Sequence, residues 1–359
     1  MHTQTKFRLL VVRLGAMGDI LHALPAVTAL RQAHPGWVID WVVEPRWRAL
    51  LAADEPAPRS VAPCPNPGRP IVDNLHFAAT KDWRKAPFTR RTLHEIQALR
   101  QSLKQGDYDT VIDLQGAVRS AVVGRLAGCQ RLIGEAHPRE QAATWLYTER
   151  IETEGAHVIE QDVELVAAIA GDELKPVSSL LPVDAAAEDW ADEILPRDGL
   201  RAALINPGAG WGAKRWPAER YAAVARGLME RGMKVLVNAG PGEESLAEQV
   251  VEAANGATGL SCTLEQLIAL TRRVSLAIAG DTGPLHLACA LGRPVVGIYG
   301  PTDPARNGPY GTRFRVLRSP GSVRDHTRNE APEAGLLTIT PNAVLRAADE
   351  LLTEEGDAR

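Results

Sequence analysis

Short apolar runs recur along this chain, each closed by a glycine or a polar turn and followed by residues at helical spacing, and no other feature constrains the fold as much. The segment 276–299 shows the unit most compactly. Leu276-Ala277-Ile278-Ala279 stops at Gly280, and the turn Asp281-Thr282-Gly283-Pro284 follows. Small residues at helical spacing then lead to Leu291-Gly292, and a second apolar run opens at Val295-Val296. Apolar runs without polar alternation mark strands buried on both faces, which means parallel strands joined by crossover helices. Runs at 7–12, 38–43, 110–114 and 131–133 read as strands, with helices at 21–32, 89–104, 117–126 and 156–170 and a broken helical stretch at 46–53. Residues 56–70 are proline-rich and read as a loop, and the proline-spotted stretch 174–182 as a linker. The alternation restarts with strands at 201–205, 234–238 and 276–279 and helices at 218–231, 243–254, 263–272 and 342–353. Two such series predict an α/β chain of two Rossmann-like domains, residues 1–180 and 181–341, with parallel sheets facing a central cleft, followed by a C-terminal helix and tail at 342–359.

Composition narrows the classes of function. With 359 residues, 45% of them hydrophobic, the chain can build a core in each domain. Lys and Arg number 40 against 44 Asp and Glu, a net charge of -4, which excludes the global polycation that coats nucleic acid. Cys64, Cys129, Cys262 and Cys289 lie far apart with no CxxC pair, which excludes a zinc ribbon and points to a reducing compartment. No run approaches the roughly 20 apolar residues that span a bilayer. Residues 1–8 lead straight into a strand rather than a signal peptide, so a cytosolic protein is expected.

In open α/β sheets ligands bind beyond the carboxyl ends of the strands, so the turns there carry the chemistry. The turn Asp281-Thr282-Gly283 opens a helix, whose free N–H groups and positive dipole end suit a phosphate, and predicts a phosphorylated ligand such as a nucleotide. The first strand runs into Arg13-Leu14-Gly15-Ala16-Met17-Gly18-Asp19. Asp19 at this loop-to-helix junction reads either as an N-cap or as a general base at the sheet edge, and the two are compatible. Gly208-Ala209-Gly210-Trp211-Gly212 reads as a loop over a pyrophosphate, with Lys214 as a point charge for its oxygens, or as a solvated Lys214-Arg215 pair. Pro217 suits a first helical position. Glu243 follows another strand and reads as a ribose ligand or as an acidic helix start.

Residues 81–104 hold seven basic and two acidic side chains interleaved with Trp83 and Phe88. Lys81, Arg84 and Lys85 within it, joined by Arg119 and Arg139 after later strands, fit an anionic acceptor or a membrane surface, against the plain alternative of a solvated face. Asp107-Tyr108-Asp109 precedes a strand and reads as a strand-entry turn, not a metal-binding DxD. The nine histidines form no HxxxH or HxH pair, and no metal site is indicated.

Taken together and in order, several of these stretches resemble the lipopolysaccharide heptosyltransferases of glycosyltransferase family 9 over nearly the whole length. They are Met17-Gly18-Asp19-Ile20-Leu21-His22-Ala23-Leu24-Pro25, Asp40-Trp41-Val42-Val43-Glu44, Val111-Ile112-Asp113-Leu114-Gln115-Gly116, Lys214-Arg215-Trp216-Pro217, Asp281-Thr282-Gly283 with His286, and Tyr299-Gly300-Pro301-Thr302-Asp303-Pro304. The N-terminal half, with Trp83-Arg84-Lys85, resembles heptosyltransferase I more than heptosyltransferase II. The resemblance implies a GT-B fold with an N-terminal acceptor domain and a C-terminal donor domain. It implies transfer of L-glycero-D-manno-heptose from ADP-heptose to the Kdo region of the inner core, with inversion and with neither cofactor nor metal.

The resemblance also implies roles. Asp19 would be the catalytic base and Lys214 the phosphate-binding and catalytic lysine, with Glu243, Asp281, Thr282, Gly283 and His286 at the donor. Gly18, Lys81, Arg84, Lys85, Arg119 and Arg139 would meet a Kdo-lipid A type acceptor, and the protein would work peripherally at the inner face of the cytoplasmic membrane. The glycine-rich loop before Lys214 departs from the hydroxyl side chains usual in heptosyltransferase I, so main-chain N–H groups are expected to replace them there. Three alternatives stay open: a family 9 transferase with another nucleotide sugar or acceptor, a GT-B-fold nucleotide-sugar epimerase, and a non-catalytic nucleotide-sugar-binding protein.

Overall fold

A computed structural model describes residues 6–58, 66–195, 201–325 and 330–356. Cys64, the middle of the proline-rich loop and the last three residues of the tail lie outside the described residues. The chain divides into two compact units, Met1–Pro182 and Val183–Arg359.

In chain order the first unit comprises β1 (Arg8–Val12), α1 (Met17–Ala33), β2 (Val38–Val43), β3 (Asn74–Phe77), α2 (Thr80–Lys85), α3 (Arg90–Gln105), β4 (Thr110–Asp113), α4 (Val118–Leu126), β5 (Leu132–Glu135), β6 (Glu149–Ile151) and α5 (Val158–Ala170). Its strands form one sheet in the order β3-β2-β1-β4-β5-β6, every pair parallel. The second unit comprises α6 (Ala185–Ile194), β7 (Ala202–Asn206), α7 (Ala218–Glu230), β8 (Lys234–Asn238), α8 (Glu244–Ala254), β9 (Thr258–Leu260), α9 (Leu264–Thr271), β10 (Leu276–Gly280), α10 (Gly283–Ala290), β11 (Val295–Tyr299), α11 (Pro304–Asn307), β12 (Phe314–Arg318) and α12 (Pro341–Gly356). Its sheet runs β12-β11-β10-β7-β8-β9, also all parallel.

Counted within each unit, both sheets have the Rossmann order 3-2-1-4-5-6, so strand order reverses once, between the first and fourth strands. That switch point lies between β1 and β4 in the first unit and between β7 and β10 in the second. The central strands are buried almost throughout, as their largely apolar composition requires. The sequence did not announce β3, β6, β9 and β12, which are the four sheet edges. Covered on one side only, they carry polar residues, as in Glu149-Arg150-Ile151. The stretch expected as a helix at 46–53 is a 3-10 turn, Pro45–Leu50.

Polar tethers inside the apolar layers fix register. Asp40, buried in mid-β2, accepts from Tyr108 Oη at 2.7 Å and Asn74 Nδ2 at 3.0 Å. Asp109 Oδ2 accepts the Arg8 N–H at 2.7 Å. The Asp107-Tyr108-Asp109 triplet therefore joins β4 to β1 and β2 at the amino end of the sheet. The terminal helix is no separate appendage. Val344, Ala347, Ala348, Leu351 and Leu352 of α12 enter the core of the second unit with Trp216, Tyr221 and Leu228.

Candidate active site

In the first unit the turn between β1 and α1 sits at the switch point. Gly15 has φ +150°, and the place where a Cβ would stand is 2.6 Å from the Trp47 indole Nε1, so only glycine fits. Asp19 is not the N-cap. Ala16 holds that position, and Asp19, the third helical residue, reaches back to accept the Ala16 N–H at 2.9 Å. Alanine has no side chain to cap with, so the carboxylate makes the return half of a capping box instead. Arg13, buried, donates through Nε to the Asp19 carbonyl at 3.0 Å, and its Nη2 is 4.0 Å from Asp19 Oδ1. The Asp19 side chain remains 39% exposed, open to a substrate.

The other acceptor-side candidates follow neighbouring strands of the same sheet, so their loops emerge at the same carboxyl edge. Gly18 is in the first turn of α1. Lys81, Arg84 and Lys85 lie on α2, immediately after β3, and Thr80 Oγ1 anchors α2 by donating to Glu44 Oε1 at 2.8 Å. Lys85 and Asp82 form a 3.8 Å pair that is almost fully exposed and contributes little. Arg119 is in the first turn of α4, after β4, and Arg139 in the loop after β5. That loop meets the start of α4: Glu140 N donates to the Gly116 carbonyl at 2.8 Å, and Val118 N to Glu140 Oε2 at 2.9 Å.

The sequence alone assigned no role to three residues of this region, although two of them, Arg13 and Gln115, fall within stretches quoted above. Arg13 is the first polar residue beyond β1, and Gln115 occupies the corresponding place beyond β4. Asp162 interrupts the buried stripe Ile159, Val163, Val166 of α5, a break in helical periodicity that could have drawn notice. Burial pushes the Asp162 carboxyl up to about 7; the Arg13 charge opposes this, while those of Asp19, Glu135 and Asp113 add to it.

In the second unit Lys214 and Asp281 span the switch point from the loops after β7 and β10. Lys214 Nζ lies 2.5 Å from Asp281 Oδ2 and 3.3 Å from the Asp281 carbonyl, and 4.2 Å above the Trp211 ring. His286 Nε2 stands 3.2 Å from the other carboxylate oxygen. Burial alone would raise the Asp281 carboxyl, but the His286 hydrogen bond and the Lys214 charge outweigh it and hold it well below the usual range. Such a carboxylate is a poor base and a good anchor for a cation. Thr282 is the N-cap of α10, Gly283 its first residue, and Pro284 carries no N–H, so the main-chain donors offered at this end come from the Thr282-Gly283 step.

Glu243 is the N-cap of α8, and its carboxyl folds back over the glycine loop. A Cβ on Gly208 would overlap that carboxyl, so a larger residue there would displace the Glu243 side chain. Burial pushes the Glu243 carboxyl up, against main-chain hydrogen bonds from Gly240 and Ala209 and the Arg215 charge. Pro217 is the N-cap of α7 rather than its first residue. Among the described residues no three His, Cys, Asp or Glu side chains gather as metal ligands.

Residues 96–335 match the family model for glycosyltransferase family 9 (heptosyltransferase). The chain is 33% identical to lipopolysaccharide heptosyltransferase 1 of Escherichia coli K12, over 96% of its own length and 100% of that protein's. Among solved structures it resembles E. coli heptosyltransferase WaaC with ADP, at a TM-score of 0.78 and 29% identity, covering 96% of this chain and 100% of that one. It also resembles WaaC with ADP-2-deoxy-2-fluoro heptose, at a TM-score of 0.76 and 30% identity, covering 96% and 99%.

Proposed function

The chain belongs to glycosyltransferase family 9 and is a heptosyltransferase of the GT-B fold class, and on that premise we propose that it transfers L-glycero-D-manno-heptose from ADP-heptose to the Kdo region of the lipopolysaccharide inner core, with inversion and without metal. The observation that carries this reading is the Lys214–Asp281 pair at the switch point of the second unit, a fixed cation beside a helix start. WaaC is known with ADP and with a fluorinated ADP-heptose, and the same donor chemistry suits this cation.

In the proposed reaction Asp19 takes the proton from the acceptor hydroxyl as that oxygen attacks the anomeric carbon. The bond from that carbon to the ADP oxygen breaks, and ADP leaves from the opposite face. Charge then builds on the diphosphate, where Lys214 and the Thr282 and Gly283 N–H groups neutralise it as preorganised electrostatics. Asp281 and His286 hold Lys214 and contact the donor, and Glu243 lies where the ribose would be received. Gly18, Lys81, Arg84, Lys85, Arg119 and Arg139 recognise an acidic acceptor of the Kdo-lipid A type. The protein works peripherally at the cytoplasmic face of the inner membrane; among the described residues no helix is long and apolar enough to cross it.

The test is nucleotide release across a donor and acceptor panel in the presence of EDTA. Release of ADP from ADP-heptose only when Kdo-lipid A is supplied is expected. Preference for another sugar nucleotide would redirect the reading to another donor, and dependence on an added divalent ion would remove the metal-free part.

A further inference from the structure

We infer that Gln115 is a positioning residue for Asp19, a latch across the switch point of the first unit that sets the turn carrying the base. The inference rests on the reading of Asp19 given above.

Leu14 is the second residue beyond β1 and is buried. Its carbonyl accepts from Glu44 N, beyond β2, at 3.0 Å. On the other side the β1–β4 ladder ends with Leu114 N donating to the Val12 carbonyl at 3.1 Å. The β4 backbone then turns away, and the Gln115 side chain supplies the missing acceptor: Oε1 takes the Leu14 N–H at 2.8 Å. Leu14 is thereby held from both sides, five residues before Asp19.

The latch is itself immobilised. Buried Asp113 accepts the Gln115 N–H at 2.9 Å and the Gly116 N–H at 3.3 Å through Oδ1. Its Oδ2 receives Ser120 Oγ and Tyr147 Oη, each at 2.8 Å. Tyr147, Asp113, Gln115 and Leu14 form one continuous hydrogen-bonded line into the catalytic turn.

The Leu14 N–H can only donate, so it fixes which way round the amide sits, and Nε2 faces the other way. That nitrogen is buried with no partner among the described residues. An unpaired buried donor is a standing penalty, borne here by the residue whose oxygen holds the Leu14 N–H.

The test is a double-variant cycle on the full chain, read as ADP release with ADP-heptose and Kdo-lipid A. Gln115→Leu should lower kcat tenfold or more while donor KM stays within about twofold, since a misplaced base slows the chemical step. In the Asp19→Ala background the same substitution should cost almost nothing further, because Gln115 acts through Asp19. A second full tenfold loss there would mean a role independent of the base and would overturn the inference. Unimpaired turnover of Asp19→Ala alone would instead overturn the base reading and the latch with it. Should Gln115→Leu fail to fold, the wild-type protein still decides: the Leu14 amide should exchange slowly with deuterium, and exchange at the rate of an unstructured amide overturns the latch.

Discussion

Asp19 and Asp162 show how two carboxyls of one unit are assigned different work by their surroundings. Asp19 is open at the end of a short turn, so its removal should strike the chemical step. Asp19→Ala should lower kcat by about 10²–10⁴-fold with donor KM little changed, the range general-base help supplies. ADP release near the wild-type rate would remove the assignment. Asp162 is buried, and its carboxyl is raised from 3.8 to about 7. An acid with a raised folded-state value binds its proton more tightly folded than unfolded, so its contribution is greatest below the unfolded value. That contribution is lost as pH rises, by about 1.4 kcal/mol per unit between roughly pH 4 and 7. Asp162→Asn removes the titration. Its Tm relative to wild type should therefore climb between pH 5 and pH 7.5, by on the order of 5 °C or more for a unit of this size. A constant Tm difference across that range would show that Asp162 does not hold its proton in the folded chain.

At the scale of elements, what the sequence disclosed depended on how completely each element is buried. The central strands β1, β2, β7, β10 and β11 are covered on both faces and read as largely apolar runs, Asp40 in β2 excepted, so their place and parallel pairing were legible. The edge strands were not, because a half-covered strand such as Asn74-Leu75-His76-Phe77 has no apolar run to show. The candidate site was legible to the extent that its proposed residues sit in turns that follow legible strands: Asp19 after β1, Lys214 after β7, Asp281 after β10. Partnerships were not. The Lys214–Asp281 pair joins residues 67 positions apart, and the Gln115–Leu14 bond residues 101 apart. Both depend on strand order, which places β10 beside β7 and β4 beside β1. Asp162 was hidden in part for another reason: the break it makes in the apolar stripe of α5 marks an inward-facing polar residue but not the charges that surround it.

At the scale of the whole molecule the charge is unevenly spread. The chain carries a net -4, yet residues 81–104 carry seven basic side chains against two acidic ones. The same unit leaves large apolar groups in the open: Phe88 is 92% and Trp145 83% exposed, with Leu93 and Val122 about half exposed. Phe88 separates the basic α2 from α3, and α4 packs against both α3 and the 3-10 turn that bears Trp145. Peripheral attachment takes two weak contributions together, shallow insertion of apolar side chains and attraction of cations to anionic headgroups at about 1 kcal/mol each. The first unit presents both kinds of group, and neither Phe88 nor Trp145 belongs to the proposed chemistry. Replacing both with serine should therefore weaken co-sedimentation with vesicles rich in phosphatidylglycerol by about tenfold, because the apolar part of the attachment is lost. ADP release on a short-chain, water-soluble acceptor should stay unaltered. Raising the salt concentration should weaken the wild-type protein's binding as well, because the cationic part is screened. Equal sedimentation of the wild type and the double variant at low salt would mean that these aromatics do not meet the bilayer.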